Sequence, residues 1–306
     1  MSLARLFLLV ALLSAVLQGA AEANFLEDLA LQMISPGCDP STGQQGMAQL
    51  QSQGRVKPQW NDPASIDACK RIFLQVANGR KIRQAGKWRS SLQGGDWNWW
   101  LGLGDDPAQL DAFTTGGGFI YVNSALLFAM PDEDAIAAVM AHEMAHGDQR
   151  HLAQALGKEL GALLLTDVLL PDNNRWQQVA RDYLPQLYGS ARSRKHEEAA
   201  DKISMAYIRE AGFDPAGAIR AMEQLQKLDA RRSANLMDSH PTPSQRVAYL
   251  QAEIKNYPYS GGSHEKSFAQ LYEAPRIANL PNPFAQTPNV LSWCGGYVVL
   301  QPDLLR

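Results

Sequence analysis

Cysteine is scarce: only three, Cys38, Cys69 and Cys294, in 306 residues. No C-x-x-C pair occurs, which excludes cysteine-ligated zinc modules and thioredoxin-like redox chemistry. Three thiols allow three alternative pairings, and sequence does not choose among them. Charge of one sign is lacking too. Net charge is −3, with acidic and basic side chains interspersed, so nothing forms the basic stripe of a nucleic-acid partner or a polybasic membrane surface. Long hydrophobic runs are also missing. The longest, Leu6–Leu17, is short of a bilayer span. It follows a basic start ending at Arg5 and precedes Ala21-Glu22-Ala23, an A-x-A site. Residues 1–23 therefore read as a secretory signal peptide cut before Asn24, with an uncleaved anchor as the alternative. No cysteine follows that site, so a lipid anchor is not indicated.

What is present centres on Pro131–Gly147, PDEDAIAAVMAHEMAHG. Proline in a first helical turn, then Asp132, Glu133 and Asp134, suit a helix N-terminus. Ala135, Ile136, Val139 and Met140 predict a core face, and Gly147 a terminator, with the helix free to run on by a turn. Within it lies H-E-x-x-H: His142, Glu143, His146. Residues at i and i+4 share a face, so two imidazoles can meet one zinc ion, while Glu143 beside them can take a proton from water. The alternative is an amphipathic helix whose histidines recur by chance. An alanine-rich, burial-prone face is a costly place for such groups unless something pairs them.

Along the chain, Asn24–Ile34 reads as a short helix and residues 38–59, rich in Gly, Gln and Ser, as a surface loop. Asn61-Asp62-Pro63 caps a helix from Ala64 to about Gln84, with Ile66, Cys69, Ile72, Phe73, Val76 and Ile82 on one side. Trp97, Trp99, Leu101 and Leu103 alternate as a strand. The tryptophans suit a packed sheet face, or otherwise a sugar platform or membrane-interface belt. Leu110–Thr114 resumes the sheet. Gly116-Gly117-Gly118 then permits a tight turn into Phe119–Val122, a strong strand former that could pair with an extended peptide. Ser124–Met130 is a short helix. Gln149–Leu170 reads as a buried helix, and Arg175–Gly189 as a mobile cover or a fixed connector.

Ala191–Ala211 is the second informative helix, ended by Gly212. Asp214-Pro215 caps the next, to about Arg231. Glu197 and Asp201 stand at i and i+4, so Glu197 can supply a third metal ligand from a separate helix and Asp201 can orient a ligand histidine. The alternative is a solvated acidic face. His240 and Arg246 flank the start of a helix from about Ser244 to Lys255. His240 could approach the metal or polarise a substrate carbonyl, whereas His151, His196 and His264 read as structural. Val290–Leu300 suggests a terminal hairpin.

Four ordered elements carry a resemblance: DAFTTGGGFIYVNSALL, the H-E-M-A-H helix, S-R-x-x-E-x-x-x-D (Ser193, Arg194, Glu197, Asp201) and H-P-x-x-x-x-R (His240, Arg246). The chain resembles the zinc metalloendopeptidases that include HtpX, the CaaX prenyl protease and soluble BepA-like periplasmic enzymes. It departs from their pattern at Asp111, usually asparagine, and Ala199, usually glutamate. The resemblance implies an α+β, mainly helical gluzincin-type zincin with a small β-sheet beside the active-site helix. It implies one Zn2+ held by His142, His146 and Glu197, Glu143 as general base, and Asp201 behind the ligands. It also implies His240 and Arg246 as active-site modulators, and Gly117, Gly118, Phe119, Ile120, Tyr121 and Val122 as a substrate-binding edge strand. The expected layout is 1–23 signal peptide, 24–60 N-terminal helix and loop, 61–255 metallopeptidase domain and 256–306 C-terminal extension. The multi-span membrane part of HtpX is absent. The implied function is periplasmic cleavage of unfolded or misassembled envelope proteins, with peripheral association with a membrane or the outer-membrane assembly machinery as a further expectation. A chaperone-like envelope assembly factor that binds unfolded proteins and rarely cuts is the rival.

Overall fold

The computed structural model describes residues 39–57, 62–84, 99–105, 109–155, 193–229, 240, 243–262, 290–294 and 297–301. In chain order its elements are α1 (Asp39–Ser52), α2 (Pro63–Gln84), β1 (Trp100–Gly104), β2 (Ala112–Gly116), β3 (Phe119–Asn123), α3 (Ser124–Ala129), α4 (Glu133–Asp148), α5 (Arg194–Glu210), α6 (Gly217–Asp229), α7 (Pro243–Glu253), β4 (Val290–Cys294) and β5 (Tyr297–Gln301). Residues 151–155 are also helical. A mainly helical α+β fold with a small sheet is what the sequence predicts. The expected signal peptide, the helix at Asn24–Ile34, Leu160–Leu170 and the segment Arg175–Gly189 lie outside the described residues. No described helix is long and apolar enough to cross a membrane.

The loop expected over residues 38–59 is instead largely helix α1. Its glycines answer to tertiary contact and not to a loop. A Cβ at Gly43 would land on the carbonyl oxygen of Gly116, and Thr115 Oγ1 donates to the Gly43 carbonyl at 2.7 Å. Glycine here lets a helix touch a turn.

Helix α2 starts as predicted: Asp62 Oδ2 accepts from the Ser65 amide at 3.0 Å. Its Ile66, Cys69, Ile72, Phe73 and Val76 are buried in the core shared with α4 and α5. Cys69 is a buried free thiol there.

The sheet has the order β1-β3-β2, β1 parallel and β2 antiparallel to β3. Strand alternation sends Leu103, Ala112, Ile120 and Val122 into the helical core. Phe113, Phe119 and Tyr121 lie outside that cluster; Phe113 packs on Tyr121 and Trp100 stacks on Phe119. Buried Met47 and Leu50 of α1 cover this second side, and the Lys57 amide donates to Tyr121 Oη at 2.9 Å. Gly116, Gly117 and Gly118 all have positive φ (84°, 57°, 91°), making the tight β2–β3 turn.

The topology corrects one expectation. Gly117, Gly118, Phe119, Ile120, Tyr121 and Val122 are not an edge: β3 is the central strand, hydrogen-bonded on both sides, and all six residues are buried. Its main chain is already committed to β1 and β2, which are the outer strands of this sheet among the described residues. The alternation around Trp99 and Trp100 is a packed one. Trp99 lies against the core, and the Arg80 guanidinium sits 4.9 Å over its ring. Trp97 lies outside the described residues. The terminal hairpin is present, with Val290 opposite Gln301.

Candidate metal centre

Helix α4 begins at Glu133, two residues later than its proline suggests. Asp132 is the N-cap, accepting from the Ala135 amide at 2.7 Å. Arg220 of α6 ties Asp132 (2.6 Å), Asp134 (3.1 Å) and Asp214 (2.9 Å) together, so the acidic start predicted for the helix dipole is also an anchor. Every residue of α4 is buried. Gly147 does not end the helix, which runs to Asp148; the left-handed residue is Arg150, with φ 53°. Gly147 instead admits the Trp99 ring, whose edge would lie 2.9 Å from a Cβ there.

Helix α5 is capped by Ser193, whose hydroxyl accepts from the His196 amide at 3.2 Å. This places Glu197 in the first turn, against the middle of α4. Its Oε1 lies 3.1 Å from His146 Nε2 and its Oε2 3.4 Å from His142 Nε2. The two Nε2 atoms are 2.9 Å apart. His240 joins them, with Nδ1 2.8 Å from Glu197 Oε2 and Nε2 3.4 Å from Glu143 Oε1. One donor atom from each of His142, His146, Glu197 and His240 fits within 4.8 Å of the others.

The donor set fits a metal ion. A tetrahedral zinc with ligands at about 2.0–2.1 Å would space them about 3.3–3.4 Å apart, and the three Nε2 and Oε separations here run from 2.9 to 3.4 Å. Glu197 Oε1 and His240 Nε2 are buried without a hydrogen-bond partner among the described residues. Such atoms are costly unless something pairs them.

Behind the donors stands a charged brace. Asp201 Oδ1 lies 2.8 Å from His142 Nδ1, and its two oxygens accept from Arg246 Nε (2.8 Å) and Nη2 (2.6 Å). Tyr249 also donates to Asp201. Arg246 Nη1 reaches Glu197 Oε2 at 3.3 Å. Burial and the Arg246 charge pull the His142 imidazole down, but the carboxylates of Asp201 and Glu197 outweigh them and push it up to about 9. The surroundings thus favour positive charge where the rings converge. Burial would raise Glu197, yet the imidazoles of His240, His146 and His142 hold it well below the ordinary carboxylate range. Asp201 is held low likewise, by Arg246 and His142 against burial.

All of His142, Glu143, His146, Glu197, Asp201, His240 and Arg246 are thus brought together. Sequence reading missed His151, given only a structural role: its Nδ1 lies 2.7 Å from His146 Nδ1. It stands five residues on, off the shared helical face, so no periodicity flags it. Also missed was a small open cleft beside His142 and Glu143, whose apolar wall is Ala138, Val139, Ala218, Ala221, Met222 and Leu225. Those positions had no motif to mark them.

Comparison with known proteins agrees with this geometry. Metalloprotease LoiP of Escherichia coli (strain K12) is 27% identical over 146 residues, 46% of this chain and 58% of LoiP. The beta-barrel assembly-enhancing protease of the same strain is 29% identical over 153 residues, 46% of this chain and 31% of the relative. Mitochondrial metalloendopeptidase OMA1 of Arabidopsis thaliana is 31% identical over 150 residues, 47% and 30% respectively. The chain thus spans between 30% and 58% of the length of these relatives. Residues 89–254 match Peptidase family M48, more than half of the sequence. With its H-E-x-x-H helix and distant glutamate converging on one buried point, the chain belongs to peptidase family M48.

Proposed function

We propose that this protein is a zinc-dependent endopeptidase that cleaves unfolded or misassembled proteins of the cell envelope. The observation that carries the reading is the buried convergence of His142, His146 and Glu197, with the Glu143 carboxylate alongside. These three residues would hold the ion, which supplies Lewis acidity that polarises a scissile carbonyl and acidifies water. Glu143 takes the proton that water loses as its oxygen bonds to the carbonyl carbon, and hands it to the amine nitrogen as the C–N bond breaks. Asp201, held by Arg246, fixes the His142 tautomer. The apolar cleft of α4 and α6 receives a non-polar substrate side chain next to the cut bond, which suits segments that are buried in folded proteins. His240, set against both Glu197 and Glu143, closes the remaining side of the donor cluster and holds the site at rest.

Envelope location rests on the secretory signature of residues 1–23 and on similarity to a relative named for β-barrel assembly. The outer-membrane assembly machinery is accordingly the partner we propose. On the same reading, 61–255 is the catalytic domain and 256–306 an extension of it.

The test is metal analysis and casein cleavage on the purified chain, with and without a chelator. Wild type should carry about one zinc and lose cleavage with chelator. Glu143→Gln should keep zinc and lose about 10²- to 10⁴-fold in rate. Full activity in Glu143→Gln overturns the assignment of the base, and chelator-resistant cleavage overturns the metal reading.

A further inference from the structure

The two paired imidazoles of the metal centre are backed differently. His142 Nδ1 faces the Asp201 carboxylate at 2.8 Å, whereas His146 Nδ1 faces another imidazole, His151 Nδ1, at 2.7 Å. His151 in turn stacks on His196, with ring centroids 4.2 Å apart and planes 11° from parallel. His196 is the residue immediately before Glu197 on α5. We propose that His151 is a positioning residue for the metal centre, holding the His146 ring in one tautomer and one orientation, and that His196 fixes the plane of His151. This rests on the metal reading above and extends it to residues with no place in the ligand motif.

A ring that gives Nε2 to a metal carries its proton on Nδ1 and can only donate there. The Nδ1 of His151 must then accept, which places its own proton on Nε2. Stacking on His196 holds the ring plane so that the lone pair stays aimed at His146. The stack also joins the α4 ligands to the α5 ligand, because its second member adjoins Glu197.

Backbone geometry supports the same reading. Five residues along a straight helix turn about 500°, leaving position 151 about 140° from position 146. A continued helix would point His151 away from His146. The chain instead bends at Arg150, the one non-glycine residue with positive φ (53°) among the described residues, and Arg150 is itself buried. A left-handed conformation is unfavourable for any residue with a Cβ. Here it follows the end of α4 at Asp148 and stands one residue before the ring that must turn back.

Zinc affinity measured by chelator competition tests this without relying on turnover. His151→Asn keeps an acceptor near the Nδ1 position and should stay within about threefold of wild type. His151→Phe keeps a stacking ring but no acceptor and should bind about 10- to 100-fold more weakly, the range for lost outer partners of metal ligands. At the half-buried His196, Ala should weaken binding several-fold and Phe should restore it. Thermal unfolding of the zinc-free variants separates a packing defect from a ligand defect, since packing loss would lower both Asn and Phe forms. His151→Phe within threefold of wild type, Asn as weak as Phe, or His196→Ala unchanged overturns the proposal. If wild type binds zinc no better than His146→Ala, it is the metal reading itself that falls.

Discussion

Replacing Asp201 by asparagine removes one negative charge and almost no volume, which isolates the electrostatics of the brace behind the metal. Asp201 receives two N–H groups of Arg246, at 2.8 and 2.6 Å, and both side chains are buried. An asparagine oxygen can accept one of these, but its NH₂ then faces the other donor. Breaking a buried ion pair from one side costs about 3–5 kcal/mol, because the partner charge stays behind without compensation. Glu197 Oε2 remains 3.3 Å from Arg246 Nη1, which favours the low end of that range. A loss of about 3 kcal/mol corresponds to a fall in Tm of roughly 6–12 °C for a domain of about 150–250 residues. The assay is urea and thermal unfolding with chelator present, so that metal linkage does not enter. Asp201→Asn with Arg246→Gln should recover part of the loss, since no charge is then stranded. The pH dependence follows from the sign of the shift. Asp201 is held below its ordinary value of about 3.9, so its contribution is fully present above that value and is lost as pH falls below it. The gap between wild type and Asp201→Asn should be widest at about pH 5–6 and narrow in stronger acid as the carboxylate protonates. It should also shrink as pH rises towards about 9, where His142, raised in part by Asp201, gives up its proton. A single variant within about 1 kcal/mol of wild type at pH 7 would refute the account of the brace.

His240→Ala should cleave casein faster than wild type with zinc content unchanged; a slower enzyme would mean that His240 assists the reaction and does not restrain it. Gly79→Ala should destabilise the chain by about 1–3 kcal/mol or more. A Cβ there lands on the Tyr207 carbonyl oxygen, 2.6 Å from the Ala211 amide nitrogen, where α2 crosses α5. An unchanged or raised urea midpoint, as expected for glycine to alanine on an open helix face, would show that the crossing is looser than described.

Sequence by itself determined what depends on short-range period and local chemistry. The i, i+4 pair His142 and His146, the Asp62 cap of α2 and the Glu197–Asp201 spacing all follow from helical geometry within one element. The turn at Gly116–Gly118 was legible for the same reason, since only glycine takes successive positive φ at little cost. Only the tertiary structure decided the features made by pairs of elements. Strand order is one: β3 reads as a good strand from its residues, but whether it lies at an edge depends on which partners flank it. Glycine at residue 43 is another, a loop signal in isolation and a close helix-to-turn contact in the fold. His151 is the third, because the left-handed turn at Arg150 returns it to a ring that helical phase would have placed on another face. Period and propensity encode neighbours along the chain; contacts across it are chosen by packing, and it is packing that turned a histidine motif into a site.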